Sequence, residues 1–311
     1  MNYPHIFSGN PLDRGETQRR DEEWITKTAQ DPNSRFLPMW GPKVLITEHS
    51  DPSGYGLGWL TMQDLKQAGI NSTVMLLGML DGTAYYAVDL SNQETAGEQL
   101  QGLNGYYFED ARNAAEQLLT GPDAGILAQG RAQINWHNRH GFCSVCGHET
   151  VIQRGGQKRV CPGCKAEHFP RVDPVIICLV TDGERCLLGQ SRGRLARMNR
   201  YSALAGFVDQ GESIEEAVSR EIMEEAGLQV RNVRYHSSQP WPFPSSLMMG
   251  CHAEAATTEI NMDPEEMTDV KWFGRQEVLQ ALAGENEQLL LPGPVAIAHH
   301  LIKTWANGEV S

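Results

Sequence analysis

Between Arg35 and Leu90 short apolar runs alternate with polar turns. Lys43-Val-Leu-Ile-Thr47, Thr73-Val-Met-Leu-Leu77 and Ala84-Tyr-Tyr-Ala-Val88 read as strands, and Asp81-Gly82 between the last two predicts a hairpin turn. From 111 to 136 apolar residues recur every three or four positions (Ala114, Ala115, Leu118, Leu119, Ile126, Leu127), the period of a helix. Gly121-Pro122 interrupts that period and predicts two helices joined by a turn. In the second half, 175–180, 186–190, 230–235, 247–253 and 270–273 read as strands, and 276–283 and 295–305 as helices. Residues 1–34 are polar and rich in Asp, Glu, Arg and Gln, which predicts loose packing. No short-period repeat or low-complexity tract is present, so the expected class is mixed α/β (α+β) in both halves.

The chain of 311 residues is long enough for two domains and a small insert. Its 40% hydrophobic and 21% charged residues are those of an ordinary globular protein. A net charge of −13 argues against a broad grip on duplex nucleic acid, but not against one nucleotide held through metal ions. No apolar run approaches the ~20 residues of a membrane span. Neither the start, Met1-Asn-Tyr-Pro-His-Ile-Phe7, nor the end, Asn307-Gly-Glu-Val-Ser311, reads as an address signal, so a cytoplasmic location is the expectation. Of seven cysteines, Cys178, Cys186 and Cys251 are scattered, as free buried thiols of a reducing compartment would be.

The other four form two knuckles, Cys143-Ser-Val-Cys146 and Cys161-Pro-Gly-Cys164, fourteen residues apart. Each knuckle brings two sulfurs to a metal at ~2.3 Å, and together they complete a tetrahedral four-cysteine site. Such a site is closed, and therefore structural zinc is expected. His148 and His168 are nearby, as neighbours rather than ligands. Zinc ribbons also occur in nucleic-acid binders, which leaves a rival reading for this segment.

A second cluster is acidic. Glu221, Glu224 and Glu225 stand at i, i+3 and i+4, which puts three carboxylates on one helical face. Like charges at this spacing repel, so a positive partner is expected, and Mg2+ or Mn2+ prefers hard oxygen ligands. The plain alternative is a solvated acidic surface helix. Further on, Ser238-Gln-Pro-Trp-Pro-Phe-Pro-Ser-Ser246 carries three prolines within five residues, which preclude helix and stiffen the chain. Trp241 and Phe243 offer flat faces there, and Ser238, Gln239 and Ser246 offer hydrogen-bonding groups. By composition the segment serves equally well to wall a pocket for a planar ring or to plug a core.

Residues 206–228 resemble the Nudix box, G-x5-E-x7-R-E-U-x-E-E-x-G-U with U aliphatic. Gly206, Glu212, Arg220, Glu221, Ile222, Glu224, Glu225, Gly227 and Leu228 fill every fixed position. The 238–246 segment is similar to S-Q-P-W-P-F-P-x-S, the array of the NADH pyrophosphatase branch of Nudix hydrolases. The same order of parts is present: a W-H-x4-F-C-x2-C-G junction from Trp136 to Gly147, a ribbon, then Phe169-Pro170-Arg171. This resemblance implies an N-terminal NADH-pyrophosphatase-like α/β domain over 1–134 and a four-cysteine zinc ribbon over 135–170. Over 171–311 it implies a catalytic Nudix domain, an α/β/α sandwich on a mixed sheet.

The resemblance further implies metal-dependent hydrolysis of the pyrophosphate bond of NADH or NAD+ to NMN(H) and AMP. Removal of an NAD cap from RNA 5′ ends breaks the same bond, and Arg192, Arg194, Arg197 and Arg200 are candidates to meet RNA. It carries the metal ligands onto Glu221, Glu225, the Ala205 carbonyl and Glu266, with Glu265 the competing register. Glu224 is a further ligand or the base, and base and ligand are not separated within the trio. Gly206, Glu212, Arg220 and Gly227 take structural roles, Arg220 clamping the Glu212 carboxylate.

The implied substrate contacts are Gln239, Pro240, Trp241, Pro242, Phe243, Pro244, Ser245, Ser246, Glu266 and Ala298, with Phe207 and Phe169 sandwiching a ring. In relatives the last partner comes from a neighbouring subunit and is typically Tyr, so a homodimer is expected, with Phe here costing a hydroxyl. Gly155-Gly156 stands where relatives can carry an acidic substrate contact. The competing functions are a zinc-ribbon regulator whose Nudix domain only senses a ligand, and a Nudix enzyme for ADP-ribose or diadenosine polyphosphates. A regulator need not keep the catalytic glutamates, and the Pro-Trp-Pro-Phe array argues against the other substrates.

Overall fold

The computed structural model describes residues 5–48, 54–101, 105–119 and 121–309. The extreme ends of the chain, residues 1–4 and 310–311, lie outside that set, and of Arg194 only the backbone is described. The chain forms two compact units. One runs to Val172 and includes Trp241–Ser245; the other comprises Asp173–Pro240 and Ser246–Ser311.

In the first unit the strands are β1 (Arg35–Trp40), β2 (Lys43–Glu48), β3 (Tyr55–Leu57), β4 (Val74–Leu80), β5 (Thr83–Asp89) and β6 (Tyr106–Asp110). They form a mixed sheet in the order β3-β2-β1-β5-β4, with β6 also on β2, and β1 and β5 run parallel. The turn at Asp81-Gly82 joins β4 to β5 with φ of 49° and 79°. The helices are α1 (Glu22–Thr28), α2 (Met62–Gln67), α3 (Glu94–Gln101), α4 (Ala111–Gln117) and α5 (Gly121–Arg139); α4 ends at a Leu118 cap, and Gly121-Pro122 open α5 rather than forming the turn between the two. A core of Phe36, Leu45, Leu76, Tyr86 and Val88 lies on the sheet, and the Phe36 and Tyr86 rings stack 5.2 Å apart.

The N-terminal segment is packed, contrary to its polar composition. Phe7 and Leu12 are buried, and Arg19 is 1% exposed. The Arg19 guanidinium donates to the carbonyls of Arg14, Leu76, Leu77, Arg154 and Gly155 at 2.6–3.2 Å. A charge whose donors are this well met can be buried without an ion partner, at the cost of a pKa pushed down to about 10 by desolvation. The unit ends in a ribbon of three strands, β7 (Val151–Gln153), β8 (Lys158–Val160) and β9 (Glu167–His168).

The second unit is an α/β/α sandwich. Its strands are β10 (Asp173–Asp182), β11 (Arg185–Ser191), β12 (Leu204–Phe207), β13 (Val230–Trp241), β14 (Ser246–Ala255) and β15 (Met267–Gly274). The sheet runs β13-β14-β10-β11-β15 with β12 also on β10; β10 and β14 run parallel, while the β10–β11, β10–β12 and β11–β15 pairs are antiparallel. Its helices are α6 (Arg194–Arg197), α7 (Ile214–Ala226), α8 (Arg275–Leu282) and α9 (Ile297–Ala306). The period of two along β10 sorts the layers. Ile176, Cys178 and Val180 pack with Ala217, Val218 and Ile222 of α7. Ile177 and Leu179 pack with Val278 of α8 and Leu301 and Trp305 of α9. Among the described residues no helix is long and apolar enough to cross a membrane.

Candidate active site and metal centres

Helix α7 begins with a capping box. The Ser213 hydroxyl accepts from the Glu216 N–H at 3.2 Å, and the Glu216 carboxylate accepts from the Ser213 N–H at 2.7 Å. It ends at Gly227, whose left-handed φ of 71° and approach to the Asn261 backbone leave no room for a Cβ. Glu221, Glu224 and Glu225 therefore stand in the C-terminal half of the helix, where the dipole is least hospitable to anions. Glu221 and Glu225 are also buried, at 8% and 6% exposed, and Glu224 is turned outward.

Arg220 answers part of this repulsion. Its guanidinium grips Glu212 through two bonds of 2.6 and 2.9 Å and reaches Glu221 at 2.9 Å, Glu224 at 2.8 Å and the Phe207 carbonyl at 2.8 Å. Hydrogen bonds from Arg220 hold the Glu212 carboxyl down at about 2. Gly206 makes room for Glu221, since a Cβ there would stand 1.9–2.1 Å from its carboxylate atoms. The Glu225 carboxyl is pushed up to about 8, first by burial and then by the charges of Glu221 and Glu266, against a backbone hydrogen bond from Ala205. Burial likewise pushes Glu221 up, and Arg220 opposes it.

Of the pair Glu265 and Glu266, it is Glu266 whose charge acts on both Glu221 and Glu225. Arg192 ties the loop that carries it, donating its N–H to the Glu266 carbonyl at 2.8 Å and its Nε to the Pro264 carbonyl at 2.7 Å. Ala205 lies on β12, paired with Ile177 of β10. The carboxylates do not close as tightly as the cysteines: among the described residues, the four sulfurs are the ligand set found within 4.8 Å of one another. Arg220 draws Glu221 and Glu224 to itself, and Glu225 Oε2 is buried with no hydrogen-bond partner. An orphaned carboxyl oxygen, kept from ionising by burial and two further carboxylates, fits a hard divalent cation that would favour its charged form.

The ribbon offers a second, different donor set. Cys143 Sγ lies 3.6 Å from Cys164 Sγ, and Cys146 Sγ lies 3.4 Å from Cys161 Sγ. Four sulfurs around zinc at ~2.3 Å stand about 3.8 Å apart, so this set fits the ion. The knuckles match: Gly147 and Lys165 follow them in the left-handed region and close turns onto the Cys143 and Cys161 carbonyls. The Val145 and Cys164 N–H groups point at sulfur at 3.4 Å, as thiolate ligands require. His148 and His168 touch Cys146 and Cys143 from outside at 3.5 and 3.3 Å. Gly155 and Gly156 adopt φ of 58° and 95° at the ribbon's turn, and His137 Nε2 donates to the Gly156 carbonyl at 2.9 Å.

The 238–246 segment divides in two. Gln239 is fully buried and uses both ends of its amide at the start of α9, donating to the Val295 carbonyl just before the helix at 2.8 Å and accepting from the Ile297 N–H at 2.9 Å. Ala298, in the first turn of that helix, is also buried, and Pro240 is half-buried. Trp241, Pro242, Phe243, Pro244 and Ser245 belong to the first unit, with a cis peptide before Pro244. Pro244 is exposed, Ser245 and Ser246 are half-buried, and the Phe207 and Phe169 rings are more than half exposed, at 58% and 59%.

The NUDIX domain family model matches residues 170–291. An NADH pyrophosphatase zinc ribbon matches 138–169, and an NADH pyrophosphatase-like rudimentary NUDIX domain matches 33–136. The "NAD-capped RNA hydrolase NUDT12" of Macaca fascicularis is 36% identical over 97% of this chain and 73% of its own length. The chain belongs to the NADH pyrophosphatase branch of the Nudix hydrolases. The "NAD(P)H pyrophosphatase NUDT13, mitochondrial" of Mus musculus is 42% identical over 72% of this chain and 68% of its own. The "NAD-capped RNA hydrolase NudC" of Mycobacterium bovis is 42% identical over 62% and 64%.

In this Nudix hydrolase the structure adds residues that sequence reading missed. Phe7, Arg112 and Arg131 surround Trp241 and Phe243. They lie more than a hundred positions away, so no local pattern could have shown them.

Proposed function

We propose that this Nudix hydrolase is an NAD(H) diphosphatase, cutting the pyrophosphate of NADH or NAD+ to NMN(H) and AMP, and that it removes NAD caps from RNA 5′ ends by the same cleavage. The observation that carries the hydrolase reading is the buried Glu225 with its unpartnered oxygen, set beside the Arg220 clamp and acted on by Glu221 and Glu266. The dinucleotide reading draws on the 238–246 array and on the substrates in the relatives' names.

Glu221, Glu225, Glu266 and the Ala205 carbonyl would hold Mg2+ or Mn2+, an all-oxygen set that suits either ion. When bound, such ions neutralise phosphate charge and lower the pKa of bound water. The chain's own part is positional and basic. One of the trio Glu221, Glu224 and Glu225 accepts a proton from the attacking water. The water oxygen joins one phosphorus as the bridging oxygen leaves on the other, and that phosphate carries the displaced charge. Arg220 and Glu212 hold the helix and loop so that the carboxylates keep their places. Trp241 and Phe243 wall the pocket, and Phe207 stacks one ring with Phe169 from a partner subunit, which makes the working form a homodimer.

We divide the chain at 134/135 and 170/171 into N-terminal domain, zinc-holding ribbon and catalytic domain. Cys178, Cys186 and Cys251, buried and unbridged outside the zinc set, support a reducing compartment, and we place the protein in the cytoplasm.

Product analysis with NADH, NAD+, ADP-ribose and NAD-capped RNA, each with Mg2+ or Mn2+, tests the reading. NMNH and AMP formed fastest from NADH, and lost in Glu225→Gln, are expected. Preferred cleavage of ADP-ribose would overturn the substrate assignment. Hydrolysis of none would overturn the diphosphatase and favour a ligand-sensing regulator.

A further inference from the structure

Glu266 sits in a turn rather than a regular element, so its place must be fixed from outside. Strand β15 begins one residue later, at Met267. Its ladder with β11 slips there: Gln190 pairs with Asp269 but Ser191 pairs with Met267, which leaves Thr268 as an extra residue. Burial records the slip. Val270 and Trp272 pack in the layer of Ile222 and Ala226 of α7, so strict alternation would send Thr268 there as well. Met267 takes that place instead, at 2% exposed, and Thr268 is exposed. Gly189 leaves the space, since a Cβ on it would run into the Met267 side chain.

Three sets of bonds hold the bulge and the turn before it. The Thr268 hydroxyl donates to the Gln190 carbonyl at 3.0 Å, and the buried Gln190 amide donates in turn to Asn199 Oδ1 at 3.0 Å. Asp263 closes the turn: its carbonyl accepts from the Met267 N–H at 2.9 Å and its carboxylate from the Glu265 N–H at 2.8 Å. Arg192, just past the slip on the other strand, spans the turn. Its N–H donates to the Glu266 carbonyl at 2.8 Å and its Nε to the Pro264 carbonyl at 2.7 Å. Arg192 is one of the four arginines expected to meet RNA, yet both of these donors are committed to the turn. The two carbonyls bracket Glu265, and a shift of one residue here would exchange the places of Glu265 and Glu266.

We propose that Arg192 and Thr268 are positioning residues, which set the Glu266 carboxylate against Glu221 and Glu225 of α7 and so tune the affinity of the site for its divalent cation. This rests on the reading of Glu266 as a metal ligand. An outer bond that orients a ligating carboxylate raises affinity without taking part in the reaction. Arg192 supplies geometry: it acts through backbone carbonyls, and Thr268 acts through the register of the ladder.

The experiment titrates Mn2+ into the substrate-free full chain, read by the electron paramagnetic resonance signal of the free ion. It compares the native chain with Arg192→Ala, Thr268→Val, Glu266→Gln and Glu265→Gln, with melting temperature measured alongside in the absence of Mn2+. Arg192→Ala keeps the backbone bond to Glu266 and loses the bond to Pro264, and it is expected to weaken Mn2+ binding by about tenfold. The Mn2+ concentration for half-maximal NADH cleavage should rise with it, while kcat at saturating Mn2+ changes less than about threefold. Thr268→Val keeps the shape without the hydroxyl, should act in the same direction, and carries the test if Arg192→Ala does not fold. Glu266→Gln should weaken binding more than either, and Glu265→Gln should leave it as it is. Folded Arg192→Ala and Thr268→Val chains with native Mn2+ affinity, beside a Glu266→Gln chain that has lost it, overturn the proposal and leave Glu266 a ligand. Native affinity in Glu266→Gln, with or without a loss in Glu265→Gln, removes that ligand and the proposal with it. Weaker cleavage of NAD-capped RNA by Arg192→Ala at unchanged Mn2+ affinity would overturn the proposal by assigning Arg192 to RNA.

Discussion

Glu225 shows how one position can combine several costs. It is buried, two carboxylates act on it, and one of its oxygens has no partner. A protein retains such a group where it does work. Glu225→Gln keeps the shape and removes the charge, so turnover of NADH should fall by about a thousandfold with the fold intact, measurable by product release and circular dichroism. The same environment makes stability depend on pH. The carboxyl titrates at about 8 in the folded chain and near 4.5 when its surroundings are lost. Its contribution is therefore fully present below 4.5 and is lost as pH rises through about 8. In chelator, the melting temperature should fall between those limits, and Glu225→Gln should flatten the fall; an unchanged slope in the variant would place the titration elsewhere. The i, i+3, i+4 spacing made the carboxylate face legible in the sequence. The orphaned oxygen, and the turning of the Gln239 amide toward a helix 58 positions on, depend on contacts that no local pattern encodes.

Elements were legible where burial imposes a period. Strand β10 alternates its apolar residues between two helical layers, and the two helices expected around Gly121-Pro122 are α4 and α5, with that pair opening α5. Strand β1 was missed because Pro38 interrupts its pattern, although a parallel ladder to β5 includes that residue. The N-terminal segment was misjudged for a related reason: Arg19 counts as polar in a composition yet is buried under carbonyls. Helix α7 separates stability from chemistry. Ser213→Ala removes a capping bond, and should cost about 1 kcal/mol in denaturant unfolding while leaving kcat within about twofold. Gly206→Ala should do the reverse. Its Cβ would collide with the Glu221 carboxylate at the open end of that side chain, so activity should fall by about a hundredfold or more with little change in melting temperature. Equal activity losses in the two variants would show that α7 stability, rather than carboxylate placement, limits the rate.

At the scale of the whole molecule, the order of modules was readable from two cysteine knuckles, one glutamate box and one proline array, because each is dense in fixed positions. The N-terminal domain was readable only as α/β, since packing constrains it by pattern rather than by residue. The homodimer is tested by complementation, which needs no structure of the assembly. If Phe169 serves the site of its partner, a Phe169→Ala chain lacks the ring it should lend and a Glu225→Gln chain lacks its own carboxylate. Each alone should be nearly inactive on NADH. Mixed, half of the dimers contain one chain of each kind, and in these one site has both an intact Glu225 and an intact Phe169 donated across the interface. Activity should recover to about a quarter of the native value once subunits exchange. A monomer in sedimentation, or a pure Phe169→Ala protein of full activity, would overturn the shared site. No recovery on mixing, in proteins shown to exchange subunits, would place Phe169 in the site of its own chain.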